Sequence, residues 1–404
     1  MDTPVGGAAG LRGQRVADGA LLDNQDAMAE NDPGGMLRMT ASAGAQVRES
    51  AALAAESNLS ALEDDGLPRA VVIAGAGTAA RTGEILAMVA GPRSRAPVIV
   101  HRSAGVPGWV GAADVVIAIS ASGHSPEALA AADAAARRGA RLVGVGAPDS
   151  ELQSVVERAR APFIAVPRRA PARASLWALT VPVLLAARTL GLVKVNEVDF
   201  AETATRLDAD AERCRPSAES FVNPAKSLAL GLAGSVPIVW GSSPLATAAA
   251  RRFADTLSAN ARYPVVAGAL GEAGRGRVGL LDGVFGGLVE SDRDIFADPF
   301  GDDEDGQRSS RLRVVLLRDG GLNADDDTDE PLAVEERRAD AIQTLAERRG
   351  VRCDVLTAEG GSSLERLASL VAVPDFASVY LALAHGLDPM AVPAVSEMKE
   401  LSNP

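Results

Sequence analysis

The sequence predicts an α/β architecture used twice: two doubly wound parallel sheets in tandem, each flanked by helices, behind a helical N-terminal segment. Three observations lead there. From Ala70 onward, short apolar runs bounded by Gly and turn residues alternate with helix-length stretches, and the rhythm resumes in the second half. Hydrophobic residues make up 47% of the chain but aromatic ones only 3%, the Ala, Val and Leu vocabulary of helices packed on a parallel sheet. At 404 residues the chain is long enough for two full cores.

Taken in order, residues 1–25 read as a flexible tail and 26–66 as an N-terminal helical segment. Its periodicity runs through Met36 to Leu62 and stops at the turn Asp64-Asp65-Gly66-Leu67-Pro68. Residues 67–200 form the first α/β unit, with strands expected at Ala70–Ala74, Pro97–Val100, Val115–Ser120, Leu142–Val145 and Phe163–Val166. The helix after Arg173 closes this unit near residue 195, and a polar helical connector follows. Residues 220–404 form the second unit, with strands expected at Pro237–Trp240, Val278–Leu281, Leu312–Leu317 and Cys353–Leu356 and helices near 246–261, 332–349 and 375–386. Acidic loops over 291–333 interrupt it. Two such units in tandem place their strand carboxyl edges so that a ligand sits between them.

One junction carries chemistry. The apolar run Val115-Val116-Ile117-Ala118 empties onto Ser120, Ser122 and Ser125 around Gly123. A helix then opens with Ser125 as N-cap and Pro126 at its first position, and Gly139 ends it. A strand feeding a Ser-rich loop and a helix N-terminus is an anion site, because free backbone N–H groups and the positive end of the helix dipole face the loop. No lysine follows the glycine, so this is not the P-loop of a nucleotide hydrolase. A phosphate held by hydroxyls and backbone, as in sugar-phosphate-binding domains, fits the composition.

Charge and composition exclude other classes. A formal net charge of −13 argues against nucleic acid, whose phosphates need a basic face. Much of that charge lies in Asp302-Asp303-Glu304-Asp305 and Asp325-Asp326-Asp327, which read as solvated loops and match no EF-hand spacing. Cys214 and Cys353 form neither a disulfide framework nor a metal-ligand pattern, and His101, His124 and His385 form no metal pair. No metal or organic cofactor is therefore expected. The first residues lack an apolar core flanked by positive charge, and the most apolar window, Leu176–Val193, is interrupted by Thr180 and Arg188 and reads as a buried helix. The expectation is a soluble cytoplasmic protein with no membrane segment.

Gly75-Ala76-Gly77-Thr78-Ala79-Ala80 also fits a dinucleotide-binding fingerprint with alanine last, which makes an NADP-dependent oxidoreductase a rival. The acidic residue expected after the second strand is replaced by His101-Arg102, and the second hydroxyl loop would have no task. The rival is the weaker reading.

Several further segments, in their order along the chain, carry a resemblance: Asp32 to Met36, Gly75 to Ala79, Arg102 to Pro107 with Trp109, Ser120 to Ser125, Ala172-Arg173-Ala174-Ser175-Leu176, Asn223-Pro224-Ala225-Lys226, Asp375 to Leu381, and Gly386-Leu387-Asp388-Pro389 to Met398-Lys399-Glu400-Leu401. From about Asp32 to Leu401 the chain resembles the SIS (sugar isomerase) superfamily, and within it the bifunctional phosphoglucose/phosphomannose isomerase family. The resemblance implies two tandem SIS domains. It implies a phosphate held by Gly77, Thr78, Ser120, Ser122 and Ser125, with Arg173 and Lys399 in catalytic positions. A fixed guanidinium suits an enediolate, and an ammonium suits ring opening or a hydroxyl. It further implies a homodimer with sites near the subunit interface.

Two departures stand out. The family's general base is a glutamate in an Asn-Glu-Asn-Ala-Lys motif; this chain reads Ser258-Ala259-Asn260-Ala261-Arg262 and places Ala259 there. Its ring-opening histidine falls on Arg275 within Gly271 to Arg277. Isomerisation needs a carboxylate that moves a proton between C1 and C2, and losing a general base costs about 10²–10⁴-fold in rate. Glu272 is the better candidate for a replacement base; Glu127 reads as a first-turn acid serving the helix dipole. The expectation is a hexose 6-phosphate-binding protein whose aldose–ketose isomerase activity is lost or weakened, the alternative being a working isomerase with rebuilt catalytic groups.

Overall fold

The structure is a computed structural model that describes residues 16–63, 66–287, 311–320 and 330–402. Among these, nine strands form two all-parallel sheets. The first comprises β1 (Val71–Ala74), β2 (Val98–His101), β3 (Val115–Ser120), β4 (Arg141–Gly146) and β5 (Phe163–Ala165) in the order β2-β1-β3-β4-β5. The second comprises β6 (Val236–Gly241), β7 (Val266–Ala269), β8 (Leu312–Arg318) and β9 (Arg352–Thr357) in the order β7-β6-β8-β9. Both are flavodoxin-like: the first strand is flanked by the second on one side and the third on the other, so the connections diverge and leave a crevice at the carboxyl edge. That crevice lies between β1 and β3 in one sheet and between β6 and β8 in the other.

The strands are short and aliphatic because both faces are covered. Val72, Ala74, Val116, Ala118 and Leu142 pack outward against Ala131, Ala132, Ala135, Leu152 and Val156. The alanine face of the Pro126–Arg137 helix lets it lie close to the sheet. The inner faces of both sheets share one continuous core. Val71, Ile73, Ile117 and Ile119 from the first sheet and Val239, Val315 and Leu317 from the second meet a central helical layer, built from Ala43–Ala55, Leu176–Thr189, Glu197–Arg213, Pro244–Thr256 and Ser363–Ala384. Ser363–Ala384 is long and apolar enough to cross a bilayer, but 89% of its apolar window is buried inside the protein. It is a core helix.

Four sequence expectations change. No strand forms at Val278–Leu281; that stretch belongs to a tight helical turn, Arg277–Asp282, and the edge strand is β7, Val266–Ala269. Its Val-Ala-Gly-Ala sequence has too little side chain to announce a strand, and it is only half-buried. The helix expected at 375–386 begins twelve residues earlier, at Ser363, because Pro374 sits inside it rather than starting it. The helix expected to run to 261 ends at Thr256 and continues as a single π-turn, Leu257–Ala261. The chain from Val16 to residue 25, read as tail, is docked: Leu22 is fully buried, and the Asp18 amide donates to the Ala384 carbonyl at 2.8 Å. The fully buried Lys226 clamps this segment, its Nζ donating to the carbonyls of Leu22, Pro216 and Ala218 at 2.5–2.8 Å over the ring of Tyr380. The acidic runs at 302–305 and 325–327 lie outside the described residues.

Candidate active site

The Ser-rich loop at the end of β3 is tied down by one hydroxyl. Ser120 is buried, and its Oγ accepts from the amides of Gly123 at 3.0 Å and Ser125 at 3.2 Å. Gly123 sits at φ +75°, and a Cβ there would lie 2.2 Å from Cβ and Oγ of Ser150, so only glycine fits. Ser125 occupies the N-cap position, but its hydroxyl donates to Glu127 at 3.3 Å rather than capping the helix. Ser122 lies 3.4 Å from Ser120, Oγ to Oγ. His124 is exposed, with Nδ1 2.7 Å from the Ser122 carbonyl, a loop contact.

These residues wall a cavity of about 200 Å³ with Ala76, Ala79, Ile119, Ala121, Arg168, Ala170, Pro171 and Ala172. Gly75 allows the β1 loop to approach, since a Cβ there would be 2.8 Å from the Ile119 carbonyl. The structure thus brings Ser120, Ser122 and Ser125 together. Gly77 and Thr78, at the start of the Thr78–Ala90 helix, stand beside the cavity rather than among its walls. Sequence reasoning misses Arg168; it follows β5 in a Pro-Arg-Arg run with no motif of its own, and only the chain's return past β3 reveals it.

Arg173 lies one residue beyond the cavity wall, in the Ala172–Ala174 turn. Its guanidinium donates to the carbonyls of Pro389 at 2.8 Å and Met390 at 2.9 Å. Burial, and then the nearby Arg262 guanidinium, lower its proton affinity, with Asp388 opposing. The backbone of Arg173 is held in turn by Arg252, which donates to the Arg173 carbonyl and forms a buried ion pair with Asp375 at 2.9 Å. Burial pushes the Asp375 carboxyl up while Arg252 pulls it down.

The π-turn follows directly from the Arg252 helix. Asn260 is buried and donates from Nδ2 to Ser378 at 2.9 Å; the half-exposed Ala259 presents only a methyl group. π-turns inside helices are frequent at functional positions. Here the turn persists without a carboxylate. Glu272 lies in another cavity, of about 570 Å³, with Glu84, Arg251, Ser242, Ser243 and Glu335. Its carboxylate is exposed and 4.0 Å from Arg277. Arg275 is exposed in the same stretch. Lys399 lies on the Pro393–Ser402 helix, its side chain outside those described.

His385 and the two cysteines stand apart from the serine-lined cavity. His385 caps the Ser363–Ala384 helix, its Nε2 2.6 Å from the Tyr263 hydroxyl. Burial pushes the thiols of Cys214 and Cys353 up to about 12, so both stay protonated and unreactive at neutral pH. Among the described residues no group of three or more His, Cys, Asp or Glu side chains could hold a metal ion.

Comparison with known proteins agrees with this fold. Residues 221–401 match the bacterial phospho-glucose isomerase C-terminal SIS domain. The chain is 26% identical over 334 residues to a bifunctional phosphoglucose/phosphomannose isomerase of Caldicellulosiruptor bescii, covering 81% of this chain and 88% of that protein. Among solved structures, a hypothetical protein of Thermus thermophilus superposes with a TM-score of 0.67 at 15% identity, covering 95% of this chain and 94% of the other. A glucose-6-phosphate isomerase of Chlamydia trachomatis gives 0.67 at 14% identity, covering 95% and 84%. The structural likenesses establish the fold; the matched C-terminal domain and the curated relative make this chain similar to the SIS-domain phosphoglucose/phosphomannose isomerases.

Proposed function

We propose that the protein binds a hexose 6-phosphate at the carboxyl edge of the first sheet, and that its aldose–ketose isomerase activity is lost or strongly weakened. The carrying observation is the cavity wall. It offers Ser120, Ser122, Ser125 and Arg168 to an anion but contains no carboxylate or imidazole among the described residues. Moving the C2 proton of an open-chain hexose to C1 requires a carboxylate within hydrogen-bond reach of both carbons. At the π-turn that the Arg252 helix aligns with Arg173, Ala259 cannot supply one. Arg173 remains suited to stabilise negative charge on the sugar, so binding chemistry is retained where proton-transfer chemistry is not. The alternative, an isomerase rebuilt around Glu272, is disfavoured because Glu272 lines the separate cavity. The reading extends to a cytoplasmic homodimer without metal or organic cofactor.

Titration with fructose 6-phosphate, glucose 6-phosphate and mannose 6-phosphate tests it, with the same samples followed by NMR for deuterium uptake at C2 in heavy water. Binding without exchange is expected. Exchange that Glu272→Gln abolishes would overturn the loss of activity, and no binding by any of the three would overturn the ligand class. Ala259→Glu should raise C2 exchange above wild type by about tenfold or more, since a positioned base contributes about 10²–10⁴-fold.

A further inference from the structure

We propose that Arg168 is the cation that anchors the phosphate in the Ser120–Ser125 cavity, a ligand-binding residue supplied by the loop after β5 rather than by the hydroxyl loops. The identity of the ligand rests on the hexose 6-phosphate reading; the anion site itself follows from the geometry.

Three arginines lie on this loop, and their commitments differ. Arg169 is paired with Glu49 at 2.5 Å. Arg173 is half-buried, donates from one guanidinium nitrogen to two carbonyls and does not line the cavity. Arg168 alone of the three lines the cavity, and it has neither an ion pair nor a hydrogen bond among the described residues. The turn that presents it is fixed: the Arg169 amide donates to the Pro167 carbonyl at 2.9 Å, and Pro167 and Pro171 bracket the loop.

The electrostatics of the opposite wall need such a group. Ser120, Ser122, Ser125 and the helix amides offer dipoles but no formal positive charge. Glu127, hydrogen-bonded to Ser125 at 3.3 Å, places a carboxylate beside the loop. A phosphate monoester carries about −1.5 to −2 charges at pH 7 and would be repelled by that carboxylate. The exposed, unpaired Arg168 on the same cavity offsets the repulsion, and a guanidinium can grip two phosphate oxygens at once, which an ammonium cannot match in geometry. Arg168 therefore selects ligands by their phosphate, and the hydroxyl loop orients the group it holds.

The test is calorimetric titration of the full chain with inorganic phosphate, fructose 6-phosphate and unphosphorylated fructose. The set comprises wild type, Arg168→Gln, Arg168→Lys and the neighbouring Arg169→Gln. Arg168→Gln should weaken both phosphate and fructose 6-phosphate about tenfold or more. Arg168→Lys should recover part of that loss, and Arg169→Gln should match wild type. Equal affinity of Arg168→Gln and wild type for both anions overturns the assignment. If phosphate binds and weakens in Arg168→Gln while fructose 6-phosphate gains nothing over fructose, the cation site stands and the hexose phosphate reading falls. If wild type binds neither anion, both fall.

Discussion

The two sheets share a strand order, yet their carboxyl edges are chemically unlike. Between β1 and β3 the hydroxyl loop borders an open cavity, and Arg168 is unpaired among the described residues. The β6 loop also borders a cavity, of about 570 Å³, but there Ser242, Ser243, Arg318 and Arg366 find their polar partners within the protein. Ser242 donates to Glu336 at 3.0 Å and accepts from the Asp319 amide at 3.1 Å, and Ser243 caps its own helix at Ala246. Arg318 is bound by Glu336 and Asp340, and Arg366 by Asp319. A crevice at a topological switch point is thus only an opportunity. It becomes a site where polar groups stay uncommitted, and a structural joint where they pair among themselves.

The sharpest way to break this contrast is at the two loop glycines. Gly123→Val should abolish hexose phosphate binding, a loss of about 100-fold or more, because its φ and the contact with Ser150 leave no room and the loop must rearrange. Gly241→Ala should instead damage folding, since a Cβ there would lie 2.2 Å from the Thr247 amide nitrogen. It should destabilise by about 1–3 kcal/mol or more, read as a lower melting temperature. A Gly241→Ala protein with unchanged melting temperature would sink the comparison.

Next come the buried serines. Ser120→Ala should cost about tenfold in ligand affinity by releasing the amides of Gly123 and Ser125, with a smaller loss of stability. Ser242→Ala should leave ligand affinity intact and lower stability by about 1–3 kcal/mol, because the Asp319 amide and Glu336 lose their shared partner. Paired denaturant melts and titrations of the two variants give the answer.

The smallest effect belongs to the amino edge of the first sheet. Asp114, just before β3, accepts from Arg69 at 2.6 and 3.0 Å, and that contact holds its carboxyl below the usual value of 3.8. Its folded pKa is depressed, so its stabilising contribution is fully present above 3.8 and disappears as pH falls through the lower, folded value. Melting temperature should therefore decline less between pH 4 and pH 2.5, roughly, in Asp114→Asn than in wild type. An equal decline would remove Asp114 from the acid response.

Much of the first edge is legible in the sequence. A β-branched run, three serines around a glycine and a proline at the first helical position encode strand, loop and helix within a few residues, and β3 and the Pro126–Arg137 helix appear where expected. β7 is illegible because Val266-Ala267-Gly268-Ala269 becomes a strand only by pairing with β6. The start of Ser363–Ala384 is hidden by Pro374, whose missing amide is tolerated inside a helix packed on all sides. Arg168 is hidden for a different reason: one arginine among several looks like solvated charge until the chain's path shows which of them lacks a partner.

The sequence by itself determined the paired α/β units and the strand, Ser-rich loop and helix around Ser120–Ser125, because each is written in neighbouring residues. Tertiary structure alone decided which charges remain free. Pairing depends on residues far apart in the chain, Arg169 with Glu49 and Arg252 with Asp375, and a charge can meet a ligand only where folding has left it without a partner.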